Sequence, residues 1–250
     1  MRFSVLLLLL ACGPNAPDDG TEPTTECDPQ SDADGDGLDQ CLEQELGLDP
    51  NQADSDGDGV SDDAELDCVS DPLDPDEQCY ACGWAHNDPG NLDGFGSEIG
   101  NTLADLSFYD QCGEQVRIHD FAGAYTILFM TAEWCGSCLE EAASLPERGT
   151  EATAEAGVDL GYVIVIWDDF MGEAPEPDVS VRYAEGIKVG QQIPVFADTT
   201  EAVLSHTPYD GADLPGKCLL SPELELLHCW VGHDNDADAW QIASAHALAR

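Results

Sequence analysis

Cys135 and Cys138 stand two residues apart in Trp134-Cys135-Gly136-Ser137-Cys138. An apolar run, Tyr125-Thr126-Ile127-Leu128-Phe129-Met130, precedes them, and a helix-forming stretch, Leu139-Glu140-Glu141-Ala142-Ala143, follows. The pattern predicts a buried strand that ends at Trp134-Cys135, a tight turn, and a helix whose first turn carries both cysteines. A thiol there faces unpaired backbone N–H groups and the positive end of the helix dipole, and both stabilise a thiolate. The thiolate is the nucleophile of disulfide exchange. Two intervening residues let the second sulfur close a small, reversible ring on the first. The same spacing also serves structural disulfides and zinc sites, but zinc needs a second ligand pair. The one candidate for that pair is Cys79-Tyr80-Ala81-Cys82, in loop-like surroundings. The strand–CxxC–helix context favours redox chemistry, with Cys135 as nucleophile and Cys138 as the resolving thiol one turn inward.

A second group of residues could bind a cation. In Asp32-Ala33-Asp34-Gly35-Asp36-Gly37-Leu38-Asp39-Gln40-Cys41-Leu42-Glu43, carboxylates fall at positions 1, 3 and 5 of a twelve-residue calcium loop. Glycine occupies position 6, Leu38 offers its carbonyl at position 7, and Glu43 closes the loop. The pattern repeats 22 residues later with Asp54, Asp56, Asp58, the Val60 carbonyl and Glu65, and with Asp62 at position 9. Hard oxygen donors at this spacing suit Ca2+ in a structural role. The other reading is a solvated acidic linker. With few large apolar residues and no aromatic, residues 31–78 cannot bury a core alone, so calcium and disulfides must hold them together.

The rest of the chain must position these groups. Its 250 residues carry 52 acids against 7 bases, a net charge of −45, with no Lys or Arg between Arg2 and Arg117. That excludes nucleic acid as a partner and argues against attraction to anionic lipid. Eleven cysteines suit an oxidising compartment. Residues 1–12 read as a targeting segment, with Arg2 as its positive start and Val5 to Leu10 as an apolar core too short to span a bilayer. Leu9-Leu10-Ala11-Cys12 resembles a bacterial lipobox with Cys12 as the lipidated residue, against the alternative of an ordinary cleaved signal. The expected place is the bacterial envelope, with the membrane reached through a lipid anchor, facing the periplasm or at the outer-membrane surface. Residues 13–30 read as a flexible tether, 31–78 as the acidic repeats, 79–95 as an irregular connector and 96–250 as the main domain.

Within that domain, Leu106–Tyr109 and Val116–His119 predict a hairpin, and Leu160–Trp167 a central parallel strand. Val179–Lys188 predicts a helix, Pro194–Asp198 a short strand, and Asp234–Ala249 an acid-capped terminal helix. Lys217–Leu220 and Leu226–Val231 predict a second hairpin, pairing 220 with 227, 219 with 228 and 218 with 229, so that Cys218 and Cys229 bridge across it. The other six cysteines can pair in 15 ways, of which proximity in sequence favours Cys27 with Cys41, Cys68 with Cys79 and Cys82 with Cys112. The implied fold class is a three-layer α/β/α sandwich with a mixed sheet, chemistry lying at the carboxyl ends of its parallel strands.

Ala132-Glu133-Trp134-Cys135-Gly136-Ser137-Cys138 resembles the active-site segment of thioredoxin-like proteins. Leu214-Pro215-Gly216-Lys217-Cys218-Leu219-Leu220 is similar to their cis-proline and the strand after it. Over residues 96–250 the likeness is to the TlpA/ResA-like envelope thiol–disulfide oxidoreductases of the AhpC/TSA–redoxin group. The acidic loops resemble thrombospondin type 3 repeats of bacterial lipoproteins. The resemblance implies that Trp134 shields the site, Pro215 packs on the disulfide and orients a bound peptide, and Glu141 relays protons to Cys138. It implies protein thiol and disulfide substrates, a redox partner in the envelope, and no organic cofactor. Phe129 stands where thioredoxin has its buried acid, Gly216 where a threonine is usual, and Ser137 where thioredoxin has proline. The Ser137 N–H is expected to donate to the Cys135 sulfur and raise the potential, while Glu133, Glu140 and Glu141 oppose a thiolate. The six histidines are expected to be structural or at the surface. The expected function is a tethered reductant of envelope proteins. The alternatives are an oxidant or isomerase, and a calcium-stiffened surface lipoprotein that uses the domain as a binding scaffold.

Overall fold

The computed structural model describes residues 27–68, 70–75, 80–84, 86–87, 89–233 and 236–250. The expectations for Cys12, the targeting segment, most of the tether and the Cys68–Cys79 pair fall on residues outside these.

A seven-stranded sheet organises the main domain, in the order β2-β1-β5-β4-β3-β6-β7. Its strands are β1 (Ser107–Tyr109), β2 (Gln115–Arg117), β3 (Tyr125–Ala132), β4 (Leu160–Asp168), β5 (Val195–Ala197), β6 (Gly216–Leu220) and β7 (Leu226–Val231). β3, β4 and β5 run parallel, and an antiparallel hairpin flanks them on each side. β3 is buried along its whole length, which is why it reads as a continuous apolar run rather than an alternating one. It ends at Ala132, short of the Trp134-Cys135 expected, because the chain turns there, with Cys135 N–H donating back to the Ala132 carbonyl at 3.1 Å.

Alternate residues of β3 and β4 feed two cores. Tyr125, Ile127, Phe129, Tyr162 and Ile164 pack under helices α3 (Gly136–Ala142), α4 (Leu145–Ala156), α5 (Val179–Ile187) and α7 (Asp236–Leu248). Leu128, Met130, Val163 and Val165 face the other layer. That layer is thinner, formed by the short α6 (Ala202–His206), a 3-10 turn at Ile118–Phe121 and the irregular segment before β1. The architecture is the expected α/β/α sandwich with a mixed sheet.

Two local features lay beyond the sequence patterns. The active-site helix stops at Ala142 and restarts as α4, since Pro146 has no N–H for the Ala142 carbonyl. At the second hairpin the expected pairs 218–229 and 219–228 form, but Leu220 pairs with Leu226 across a bulge rather than with Leu227.

The described residues between 80 and 95 carry no regular element, yet they are fastened to the domain. Tyr80 is buried and its hydroxyl donates to Asp120, Trp84 Nε1 donates to Asp110 at 3.1 Å, and Cys82 is disulfide-bonded to Cys112. In the acidic segment the chain forms two short helices, α1 (Gln40–Leu46) and α2 (Asp62–Cys68), and Cys27 is bonded to Cys41. Leu48, Cys68 and Pro72 are its buried apolar residues among those described. That is far too little to fold on.

Candidate active site and cation-binding loops

Cys135 is the N-cap of α3, and its sulfur accepts a hydrogen bond from Cys138 N–H at 3.3 Å. The two sulfurs are joined as a disulfide, with Cys135 at the surface edge (7% exposed) and Cys138 fully buried. This is the asymmetry a nucleophile and a resolving thiol require. The backbone donor to Cys135 belongs to Cys138, not Ser137. Ser137 contributes its hydroxyl instead, 3.7 Å from the sulfur.

Trp134 is half-exposed beside the pair, with its indole N–H held by the Asp168 carboxylate at 2.8 Å. Asp168 ends β4, so the tryptophan is clamped to the neighbouring strand rather than left free. Pro215 follows a cis peptide bond and is buried at the start of β6. The register pairs Gly216 with Met130, so Pro215 lies one step further toward the cysteine end of β3. Gly216 is where the threonine of the resembled family would be. A Cβ there would come within 2.5 Å of the Tyr209 ring, so Tyr209 packing directly on the backbone demands glycine.

The acids around the pair are largely compensated. Glu133 is buried and paired with Arg182 at 2.9 Å. Glu141 is buried at the centre of an ion cluster that no sequence pattern signalled. Its Oε1 accepts from Lys217 Nζ at 2.6 Å and Arg148 Nη1 at 2.9 Å, and its Oε2 faces His233 Nδ1. Lys217 Nζ also donates to Asp236 at 2.8 Å, and Asp236 in turn binds Arg148 and the Tyr162 hydroxyl. Burial and the Asp236 charge hold the Tyr162 phenol well above the usual tyrosine range. Lys217 is fully buried on the face of β6 that meets α3, α4 and α7, 5.6 Å from the centre of the Phe129 ring. A buried acid is therefore present on the Cys138 side of the sheet, supplied by α3 rather than by position 129. His233, half-exposed, is a member of this cluster, a surface position consistent with the expectation for the histidines.

The acidic loops are folded around inward-facing oxygens. In the first, Asp34 and Asp36 each use one oxygen to accept a loop N–H, while the other, Oδ2, is buried without a partner. Asp32 accepts from Gly35 N–H, and its oxygens group with those of Asp34 and Asp36. Glu43 is fully buried and neither of its oxygens has a partner. The second loop repeats this with Asp56 Oδ2, Asp58 Oδ2 and Glu65 Oε2, while Asp54 caps Gly57 and Gly59 N–H. Burial, with Asp56 and Asp58 beside it, pushes the Glu65 carboxyl up to about 7, and similar crowding raises Asp36, Glu43 and Asp56. Orphaned buried carboxylate oxygens at calcium-loop spacing fit a hard cation. Asp62, at position 9 of the second loop in the linear pattern, accepts from Ser55 of that loop, and its carboxylate also groups with those of Asp36 and Glu43 of the first, whereas Asp54, Asp56 and Asp58 form their own group.

No protein-family model and no curated protein matches the chain. Among solved structures, it is similar to an exposed lipoprotein thioredoxin of Streptococcus pneumoniae, at 24% identity and a TM-score of 0.44, over 56% of this chain and 98% of that one. It is also similar to a putative protein disulfide isomerase of Bacteroides thetaiotaomicron, at 18% identity and a TM-score of 0.45, over 62% and 92% of the two chains. A secreted thiol–disulfide isomerase of Corynebacterium glutamicum matches at 16% identity and a TM-score of 0.45, over 57% and 83%. Likenesses this distant carry no functional weight, which rests on the site's own geometry. No helix among the described residues is long and apolar enough to cross a membrane.

Proposed function

We propose that the chain is a thiol–disulfide oxidoreductase of the bacterial envelope, acting on protein cysteines as a lipid-tethered reductant. The observation that carries the reading is the Cys135–Cys138 pair at the start of α3, with Cys135 capping the helix and Cys138 fully buried one turn inward. In the reduced form, the Cys135 thiolate attacks a substrate disulfide. A Cys135–substrate mixed disulfide forms and one substrate sulfur leaves as thiolate. Cys138, losing its proton, then attacks the Cys135 sulfur. The internal disulfide closes and the second substrate sulfur departs, so two electrons pass to the substrate and two thiols result. A membrane dithiol partner of the same chemistry would restore the pair.

The Cys138 N–H and the Ser137 hydroxyl favour the thiolate, and the pairing of Glu133 and Glu141 with cations removes much of the opposing charge. The potential is accordingly expected above thioredoxin's, which is about −270 mV, and well short of the oxidant end near −120 mV. Lipid on Cys12 would supply the tether, and Ca2+ held by Asp32, Asp34, Asp36, Leu38, Glu43 and by Asp54, Asp56, Asp58, Val60, Glu65 would stiffen the stalk. Calcium there would neutralise the inward carboxylates and give the segment the rigidity its missing core cannot.

Reduction of insulin by dithiothreitol should be accelerated by the wild type and not by Cys135→Ser, and Cys138→Ser should accumulate mixed disulfides. Full activity in Cys135→Ser would overturn the enzymatic reading and leave the binding-scaffold alternative. Equilibration in glutathione buffers tests the direction: a potential near −120 mV would make the chain an oxidant instead.

A further inference from the structure

The geometry points to a first cation site built from both repeats, in which Asp62 of the second repeat is a ligand alongside Asp36 and Glu43 of the first. The inference rests on the proposed calcium reading of the loops and goes beyond it, because a linear loop pattern assigns Asp62 elsewhere.

Carboxylate oxygens of Asp36, Glu43 and Asp62 all lie within 4.8 Å of one another. Glu43 and Asp62 are both fully buried. Three carboxylates cannot be packed so closely out of water without a counter-charge. Basic side chains do not supply one: the sequence has no Lys or Arg between Arg2 and Arg117, and among the described residues Asp36, Glu43 and Asp62 form no ion pair. Hydrogen bonds do not suffice either, since both Glu43 oxygens and Asp36 Oδ2 are buried with no partner. These atoms are aimed at the space a cation would fill.

Asp62 is held in place for this. Its Oδ1 accepts from Ser55 N–H at 2.8 Å and its Oδ2 from Ser55 Oγ at 2.7 Å, which leaves further lone pairs on each oxygen. Asp62 begins α2, so a cation shared with Asp36 and Glu43 pins the start of that helix to the first loop. Asp32, Asp34, Asp36, the Leu38 carbonyl, Glu43 and Asp62 then make six oxygen-bearing groups. That number and its irregular setting suit Ca2+ better than the smaller, strictly octahedral Mg2+. The first ion thus braces one repeat against the next, and the stalk is rigid only when that site is filled.

The test uses the full chain, stripped with a chelator and titrated calorimetrically with calcium chloride. Asp56→Asn disables the second loop without touching the shared cluster, so the remaining calcium binding reports the first site. Adding Asp62→Asn to that background should weaken binding at least tenfold. Ser55→Ala in the same background, which loses a hydrogen bond but keeps the charge, should weaken it by less than threefold. Calcium should also protect the α2 amides from hydrogen exchange in Asp56→Asn and not in Asp56→Asn/Asp62→Asn. Identical isotherms and exchange with and without Asp62 would overturn the shared site while leaving calcium loops standing. Equal losses from Ser55→Ala and Asp62→Asn would also overturn it, by making Asp62 a purely structural residue. A wild type that takes up no calcium would instead remove the calcium reading and this inference with it.

Discussion

Replacing Lys217 by methionine tests whether the buried ion cluster is a structural keystone under the active-site helix. Lys217 is completely buried and its ammonium bridges Glu141 at 2.6 Å and Asp236 at 2.8 Å. Methionine matches the length of the stem but removes the charge. Two buried carboxylates would then share Arg148 and the half-exposed His233. Removing one partner from a buried pair typically costs about 3–5 kcal/mol, because the partner left behind is stranded out of water. That is a large part of the ~5–15 kcal/mol by which domains are stable. At about 2–4 °C per kcal/mol for a chain of this size, the expected fall in Tm is roughly 6–20 °C. Adding Glu141→Gln should recover a good part of the loss, since it removes one of the stranded charges. Circular-dichroism melts of wild type, both single variants and the double variant complete the thermodynamic cycle. A Lys217→Met melt within about 2 °C of wild type, or a double variant at the sum of the two single losses, would refute the reasoning.

Gly216→Thr, which installs the residue usual in the resembled family, is expected to cost about 1–3 kcal/mol in denaturant unfolding, because its Cβ would strike the Tyr209 ring; Gly216→Thr/Tyr209→Leu should be milder, and an unchanged midpoint for Gly216→Thr would contradict the packing. The cation-free acidic segment should lose stability as pH rises. Burial, with Asp56 and Asp58 beside it, pushes the Glu65 carboxyl from its ordinary 4.5 up to about 7, so its contribution is fully present below about pH 4.5 and is lost as pH climbs through 7. Hydrogen-exchange protection of α1 and α2, corrected for intrinsic rates, should therefore be higher at pH 5 than at pH 8 in chelator and should recover at pH 8 with calcium. Equal protection at both values in chelator would argue against the carboxylate crowding.

What the sequence determined by itself was local. The strand–CxxC–helix order, the loop positions of Asp32, Asp34, Asp36 and their repeats, and the Cys218–Cys229 bridge all depend on spacing within a turn, a loop or a hairpin. Such spacing survives any global arrangement, because backbone geometry ties those residues together over short stretches. Counting back from a turn was enough to place Cys218 opposite Cys229, though not to foresee the bulge that sets Leu220 against Leu226.

Contacts between elements were decided only by the tertiary structure. Glu141, Arg148, Lys217, His233 and Asp236 come from α3, α4, β6, the stretch after β7 and the start of α7, and nothing in their spacing links them. They meet because α3, α4 and α7 pack on one face of β6, where a lysine at an inward position must find acids or be expelled. Gly216 reads as a departure until Tyr209 is seen lying on it. Asp62 counts as position 9 of its own loop in sequence, yet in space its carboxylate also lies within 4.8 Å of those of Asp36 and Glu43 in the neighbouring loop, because α2 begins beside them. A linear motif cannot record which of two nearby charge clusters a side chain joins. The fold of the chain between them decides it.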